Sequence, residues 1–387
     1  MDDVLTRLFG EFDRGNVSRR QLLQALGIAV VASPMAAFAQ GSCGGANAGT
    51  PRCNTTPFSP PFEPTGWKTV LLDHFSMQVV DYEKEAAYYN ALMGWQVRSD
   101  DGTKATLDIG DWGGVEIRGG LVVPPQPPVA PAPAAGGDTA GGRGGRGGRG
   151  GGRGPARAVW DSFCWGITPW DTRNVEAELT KRGLKPVADH RGRDFQSFHV
   201  KDPDGFDVQI SNGNKRNRRT TKASGRLSAP PPFEPTGWKS LWLDHISFSC
   251  TSYKESAAFY AALIGWQPGE DEGSQNTMVI SPEIGGIIVR GGNANAPGGL
   301  TAGRGGRGGA PADTTAPLVR RSVINHVSFG IENFDPDKVL AELTRRGLNA
   351  RVDTGGRGDI HEAPYKSYHT TTPNGYDLQI SNTITRE

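Results

Sequence analysis

An internal duplication is the feature that most constrains this chain. Residues 61–68, Pro-Phe-Glu-Pro-Thr-Gly-Trp-Lys, recur letter for letter at residues 232–239. Further matches follow in the same order, from Leu-Asp-His at 72–74 and 243–245 to the Gln-Ile-Ser-Asn that ends at 212 and 382. The repeat, at about 150 residues, is much longer than a solenoid period of roughly 20–50 residues. The sequence therefore predicts two tandem copies of a whole domain.

Each copy divides again into two similar units. A strand pattern followed by a helix pattern occurs twice in the first copy, at residues 67–80 and 83–93 and again at residues 162–167 and 174–182. Asp81 is placed as a helix N-cap and Gly94 as a stop signal. Pro336, after a capping Asp335, marks a helix start in the second copy. We therefore expect strand, helix and further strands, four times along the chain.

This order resembles the vicinal-oxygen-chelate superfamily, which contains glyoxalases, bleomycin-resistance proteins and extradiol dioxygenases. The resemblance rests on the paired units, on Gly-Trp after the first helix of each copy, and on Asp-Pro-Asp-Gly at 202–205 before a last strand. It covers residues 61–213 and 232–383. It implies an α+β fold in which tandem paired βαβββ modules form cup-shaped mixed sheets.

The predicted organisation has two modules and three connecting or targeting segments. They are a signal peptide at 1–39, a linker at 40–60, a first module at 61–213 with an insert at about 124–156, a linker at 214–231, and a second module at 232–383 with an insert at about 293–317.

The N-terminus has the pattern of a twin-arginine export signal. Ser18-Arg19-Arg20 precedes an apolar run, and Ala-Phe-Ala at 37–39 fits a cleavage site. We expect a periplasmic or secreted protein, with no span, because the run is shorter than the roughly 20 residues that cross a bilayer. Cys43 and Cys53 could then pair in an oxidising compartment or stay free. Cys164 and Cys250 are expected to be buried small hydrophobes.

Charge gives little indication of a polymeric partner. The net charge is +1 and the pI is about 7.7, so no global field attracts nucleic acid or membrane. Two Gly/Arg-rich tracts, at 141–154 and 303–309, fit either a nucleic-acid-binding segment or a solvated linker. Export favours the linker, so the expected partner is a small molecule rather than nucleic acid.

The resemblance implies a metal centre in the second module. In that family two units curl around one divalent metal, whose ligands come from the first strand of each unit and from a glutamate on the last strand. The matching positions here are His245, His326 and Gln379. Two imidazoles and an oxygen donor resemble a facial triad, for which Fe(II) or Mn(II) is expected first, with Zn or Ni as alternatives. Gln379 departs from the family because an amide contributes no charge, which implies weaker binding and a stronger electrophile.

The first module matches this pattern only in part. His74 and Gln209 occupy the corresponding positions, but Ser162 stands where the second module has its second histidine. Glu116 lies where a glyoxalase-type unit places a carboxylate ligand, so His74, Glu116 and Gln209 form a candidate second, weaker site. The alternative is a vestigial first module.

His369 is the candidate catalytic residue. It lies ten residues before Gln379, a spacing that carries an acid or hydrogen-bond donor in ring-cleaving relatives, and imidazole transfers protons near neutral pH. The matching His199 in the first module supports a structural role instead.

Three functions follow from these residues. The first is a metal-dependent enzyme, a dioxygenase or a lyase/isomerase, acting on a small substrate with vicinal oxygens. The second is a metal-free binding protein of the bleomycin-resistance kind, favoured by Gln379 and Ser162. The third is an envelope-associated structural protein, favoured only by the Gly/Arg tracts.

Overall fold

A computed structural model of the chain describes residues 58–123, 157–191, 194–214, 225–272, 275–291 and 320–383. The predicted signal peptide, Cys43, Cys53 and both Gly/Arg-rich tracts lie outside these residues. The described residues up to 268 and from 275 onward belong to one compact unit, which contains both copies of the repeat. Within the described ranges no helix combines the length and the apolar character needed to cross a membrane.

The first module is one sheet of eight strands with two helices. Its elements are β1 (Lys68–Val79), α1 (Tyr82–Met93), β2 (Gln96–Asp100), β3 (Lys104–Ile109), β4 (Gly113–Arg118), β5 (Ala158–Thr168), α2 (Thr172–Lys181), β6 (Val187–Ala188), β7 (Ser197–Lys201) and β8 (Asp207–Ser211). The strand order is β2-β3-β4-β1-β5-β8-β7-β6. The first strands of the two units, β1 and β5, pair antiparallel at the centre, and each pairs parallel with the last strand of its own unit.

The second module repeats this arrangement strand for strand. Its elements are β9 (Ser240–Cys250), α3 (Tyr253–Ile264), β10 (Gln267–Asp271), β11 (Gln275–Ser281), β12 (Gly285–Gly291), β13 (Val323–Ile331), α4 (Pro336–Arg345), β14 (Arg351–Asp353), β15 (Ser367–Thr371) and β16 (Asp377–Ser381). The strand order is β10-β11-β12-β9-β13-β16-β15-β14. The predicted α+β architecture of paired βαβββ modules is confirmed.

Local sequence signals explain the helix limits. The Asp81 carboxylate accepts a hydrogen bond from the Lys84 N–H at the start of α1, and Gly94 ends that helix with a left-handed φ of 68°. The helix predicted from residue 174 begins two residues earlier, at Thr172, because Asp171 is its N-cap and accepts from the Asn174 N–H. Asp335 and Pro336 begin α4 as predicted.

The repeated octapeptide is explained by reciprocal packing of the modules. Thr236 Oγ1, before β9, donates to the Leu92 carbonyl at the end of α1 at 2.6 Å, and Thr65 Oγ1, before β1, donates to the Leu263 carbonyl at the end of α3 at 2.7 Å. A side chain at Gly94 would lie 2.2 Å from a backbone oxygen of Trp238. Each copy of the segment thus packs against the helix end of the other module, so both copies face the same constraints.

Side-chain alternation gives each central strand two different faces. On β9, Ile246 and Phe248 are fully buried in the hydrophobic core, whereas His245 and Ser247 alternate with them on the opposite face of the sheet. That opposite face, called here the cup face of each module, carries the polar side chains of both predicted sites.

Candidate metal centre

A β-bulge positions the first histidine of the second module. In the pairing of β9 with β13, His245 lies opposite Ser328 and Leu243 lies opposite Phe329, so Asp244 is an extra residue on β9. The bulge places the Asp244 carboxylate beside the imidazole of the next residue, with Nδ1 of His245 and Oδ2 of Asp244 3.1 Å apart. The Leu-Asp-His triplet found in both copies of the repeat is the sequence of this bulge.

Strand register brings the predicted residues onto one face. His245, Ser328, Gln379 and His369 lie side by side on β9, β13, β16 and β15. His326 precedes Ser328 by two residues and therefore shares its face. The structure thus places all four predicted site residues of the second module on the cup face.

The two predicted histidine ligands converge. Nε2 of His245 and Nε2 of His326 are 3.1 Å apart, and the two rings meet edge to face. The Asp244 carboxylate accepts from Nδ1 of His245, so a neutral ring keeps its lone pair on Nε2. Burial, reinforced by His245 and His369, lowers the pKa of His326 well below its usual value, which favours the neutral form of the His326 ring.

Asp244 is the anionic centre of this side of the cup. Besides His245, it accepts hydrogen bonds from Ser328 Oγ at 2.8 Å and from Tyr365 Oη at 2.9 Å. Burial opposes its ionisation, but the neighbouring His245 and the hydrogen bonds from Ser328 and Tyr365 outweigh burial and lower the pKa of Asp244 to about 2. A carboxylate that orients a histidine in this way is the usual outer partner of a metal-binding imidazole.

Gln379 presents an oxygen atom with no protein partner. Its amide nitrogen donates to Ser367 Oγ at 2.8 Å and to Tyr365 Oη at 3.0 Å. Its carbonyl oxygen, Oε1, is buried and accepts no hydrogen bond from any described residue. Such an oxygen is costly to bury unless something else satisfies it.

His369 is held between two carboxylates. Nδ1 lies 3.1 Å from Asp377 Oδ1 and Nε2 lies 3.3 Å from Asp353 Oδ2. Burial disfavours the charged ring, but the two carboxylates outweigh burial and raise the pKa of His369. Its ring centroid is 5.0 Å from that of His326. Nitrogen and oxygen donors of His326, His369 and Asp377 also lie within 4.8 Å of one another, and they form an alternative ligand group.

The predicted donors of the second module fit a divalent metal ion. Two imidazole nitrogens 3.1 Å apart match neighbouring ligands of one ion, since bonds of about 2.0–2.1 Å at a right angle separate the donors by about 3 Å. The unpartnered Oε1 of Gln379 supplies an oxygen on the same face. Two imidazoles with one oxygen are the donor set of a facial triad.

The first module has the same bulge but different chemistry. His74 Nδ1 lies 2.8 Å from Asp73 Oδ1, as in the second module. Register places Ser162 at the position of His326, and Cys164 at the position of Ser328. Asp73, His74 and Cys164 have donors within 4.8 Å of one another, but burial raises the pKa of the Cys164 thiol well above its usual value.

Glu116 of the first module is already engaged by cations. Its carboxylate forms a close ion pair with Arg191 and a second one with Lys104 at 3.4 Å. Burial opposes ionisation, but His74 and Arg191 outweigh it and lower the pKa of Glu116. Gln209 donates to Ser197 and Asp189, and His199 lies between Asp207 and Asp189 as His369 lies between its carboxylates. His74, Glu116 and Gln209 therefore share a cup face in which guanidinium and ammonium groups already neutralise the carboxylate.

Sequence reasoning missed the carboxylates that surround the histidines. Asp244 directly precedes His245 and Asp377 lies two residues before Gln379, both inside repeated segments, and this proximity was the available signal. Asp353 lies on a short strand with no recognisable motif, so only the fold brings it to His369.

Solved structures of other proteins share this fold. The chain superposes on a Mn(II)-bound glyoxalase from Novosphingobium aromaticivorans with a TM-score of 0.51 at 12% identity, over 83% of this chain and 84% of that one. It superposes on homoprotocatechuate 2,3-dioxygenase from Arthrobacter globiformis with a TM-score of 0.51 at 15% identity, over 84% of this chain and 83% of that one. No protein-family model and no curated protein matches the sequence. The chain has the fold of the glyoxalases and extradiol dioxygenases of the vicinal-oxygen-chelate superfamily, in two tandem modules.

Proposed function

We propose that this protein is a divalent-metal-dependent enzyme that acts on a small substrate with two neighbouring oxygen atoms. The observation that carries the proposal is the convergence of His245 and His326, with Nε2 atoms 3.1 Å apart, on a face where Gln379 Oε1 has no partner among the described residues. The fold shared with a Mn(II)-bound glyoxalase and with ring-cleaving dioxygenases supports the same class of chemistry. Fe(II) or Mn(II) is the proposed ion, with Zn or Ni as alternatives.

The residues around the proposed ion have separable tasks. Asp244 fixes the tautomer and orientation of His245, while burial keeps His326 neutral as a donor. A bound divalent ion would supply Lewis acidity toward two substrate oxygens, or redox partnership with dioxygen. His369, which Asp353 and Asp377 favour in its protonated form, is the proposed proton donor, because its ring lies against that of His326.

Metal reconstitution with two substrate classes tests the proposal. The chain loaded with Fe(II) or Mn(II) is offered catechols under oxygen, and thiol adducts of α-ketoaldehydes without oxygen. Oxygen consumption with a catechol identifies a dioxygenase, and oxygen-independent conversion of an adduct identifies an isomerase. A chain that takes up none of Fe, Mn, Zn or Ni contradicts the proposal.

The first module favours a second candidate function, metal-free binding of a small molecule. Ser162 offers no imidazole, and both oxygens of Glu116 are paired with cations. A protein in which both cups work in this way would bind ligand equally well with and without chelator. Isothermal titration in the presence of a strong chelator distinguishes the two functions.

We also propose export by the twin-arginine route, which rests on Ser18-Arg19-Arg20 and the cleavage pattern at 37–39. Changing both arginines to lysine should retain uncleaved protein in the cytoplasm, as measured by fractionation and intact mass. Normal cleavage of the double variant contradicts this route.

A further inference from the structure

The amide group of Gln379 is surrounded on one side by three oxygen atoms. Tyr365 Oη lies 3.0 Å from its nitrogen, Ser367 Oγ lies 2.8 Å away, and Asp353 Oδ2 lies 3.5 Å away. The amide could in principle turn either its NH₂ or its carbonyl toward this group. The protons available on the three oxygens determine which orientation is possible.

All three oxygens can only accept. The Tyr365 hydroxyl donates its proton to Asp244 at 2.9 Å, and the Ser367 hydroxyl donates its proton to the Asp353 backbone carbonyl at 2.7 Å. Asp353 Oδ2 is a carboxylate oxygen that accepts from the ring of His369, with Nε2 at 3.3 Å. The NH₂ group of Gln379 must therefore face these oxygens, which leaves Oε1 on the other side, where no residue in the described part of the chain donates to it.

We propose that Tyr365 is a positioning residue that orients two of the three proposed metal donors through one hydroxyl group. Its oxygen accepts from Gln379 and so directs Oε1, while its proton goes to Asp244, which holds Nδ1 of His245. This inference rests on the proposed function, because the donors it aligns are those of the proposed metal centre.

The first module shows the same frame without this connection. Phe195 precedes Ser197 by two residues, as Tyr365 precedes Ser367, and it has no hydroxyl group. Gln209 still donates to Ser197 Oγ, at 2.8 Å, but the phenylalanine cannot accept from that amide or donate to a carboxylate as Tyr365 does. The link between the amide and the bulge carboxylate is thus specific to the module that has both histidines.

The same contacts explain why an amide stands where the family resemblance implies a carboxylate. A glutamate at position 379 would place a negatively charged oxygen against Asp353 and against two hydroxyl oxygens whose protons are already donated. Although a restored charge alone would strengthen metal binding, this arrangement opposes Gln379→Glu. We expect Q379E to bind Mn(II) no more tightly than the wild type, and Q379E with Asp353→Asn to bind more tightly than Q379E.

Mn(II) titration of the metal-free full chain, read from the electron paramagnetic resonance of free Mn(II), tests the role of Tyr365. Tyr365→Phe should weaken Mn(II) binding about 10- to 100-fold, the usual effect of losing an outer partner of a metal ligand. Phe195→Tyr, the matched change in the first module, should leave the affinity unchanged. The effect of Y365F should shrink in a Gln379→Ala background, because part of it acts through that amide.

A measurement without metal separates this inference from the proposed function. In the metal-free protein labelled with ¹⁵N-glutamine, the side-chain NH₂ of Gln379 should be protected from exchange in the wild type and lose protection in Y365F. Absence of Mn(II) binding by a wild type with that protected amide would overturn the metal centre and leave the positioning role standing. Equal protection, or equal Mn(II) affinity, in wild type and Y365F would overturn the role of Tyr365.

Discussion

The two modules keep the same fold and differ on one face. Both have the bulge that sets aspartate beside histidine, the glutamine on the last strand, and a histidine between two carboxylates. The differences lie on or beside the cup face, where the first module has Ser162, Cys164, Phe195 and Glu116 and the second has His326, Ser328, Tyr365 and Ile288. Core packing and packing between the modules thus preserve the strands and the bulge, while a few positions on the cup face determine which polar groups each module presents.

The two modules differ most in the charged groups on their cup faces. In the first module, Arg191 and Lys104 neutralise Glu116 from inside the protein. At the matching position the second module has Ile288. Its Asp244 carboxylate pairs with His245 and with no lysine or arginine among the described residues, whereas Asp377 pairs with both His369 and Arg351. We therefore expect a cation from solution to bind beside Asp244, His245 and His326 in the second cup rather than in the first.

The largest expected effect comes from removing the second imidazole. His326→Ala should weaken Mn(II) binding by at least about 100-fold, more than the usual effect of an outer partner. The fold should persist, because the variant removes a partly buried polar ring from the cup face rather than a side chain of the hydrophobic core. Equilibrium dialysis with metal analysis measures the loss, and a thermal melt checks the fold.

His74→Ala is the control for that variant in the first module, where His74 is the bulge histidine that corresponds to His245 and Ser162 occupies the position of His326. It should leave the bound metal at the wild-type level. If H74A lost metal while H326A kept it, the assignment of the two modules would be reversed.

The next largest expected effect is a gain of Mn(II) binding in the first module. Ser162→His combined with Arg191→Ala installs the missing imidazole and removes the internal cation, so bound Mn(II) should rise from one equivalent per chain to nearly two. Arg191→Ala alone should stay near one equivalent. No gain in the double variant, despite correct folding, would show that other positions keep the first cup from binding metal.

The smallest expected effect concerns the turns that follow β7 and β15. Asp202 in the first turn is buried, and burial raises its pKa to about 6 despite hydrogen bonds from the Phe206 and Asp204 N–H groups. At the same position of the second turn, Thr372 is a neutral side chain that accepts the corresponding hydrogen bond from the Tyr376 N–H. The raised pKa means that Asp202 stabilises the fold below about pH 4, and that this contribution is lost as pH rises through about 6.

Asp202→Thr should remove that pH dependence, worth on the order of 2–3 kcal/mol between pH 4 and 7. Urea unfolding at several pH values measures it. A wild type and a D202T variant with parallel stability profiles would show that Asp202 does not titrate in this range.

The sequence predicted the frame of the site better than its details. The repeat and the helix signals predicted the two modules, and the family resemblance that they support implied His245, His326 and Gln379 as the ligand set. The hydrogen bonds of Tyr365, Asp353 and Ser328 could not be predicted in the same way. Their contacts depend on a bulge and on pairing between distant strands, which leave no local pattern.

Anomalous X-ray diffraction from crystals grown with Mn(II) tests the central claim most directly. We predict one strong peak per chain, from an ion bound by Nε2 of His245, Nε2 of His326 and Oε1 of Gln379, and no peak in the first cup. A peak held by His326, His369 and Asp377, a peak beside His74, or no peak at saturating Mn(II) would contradict it.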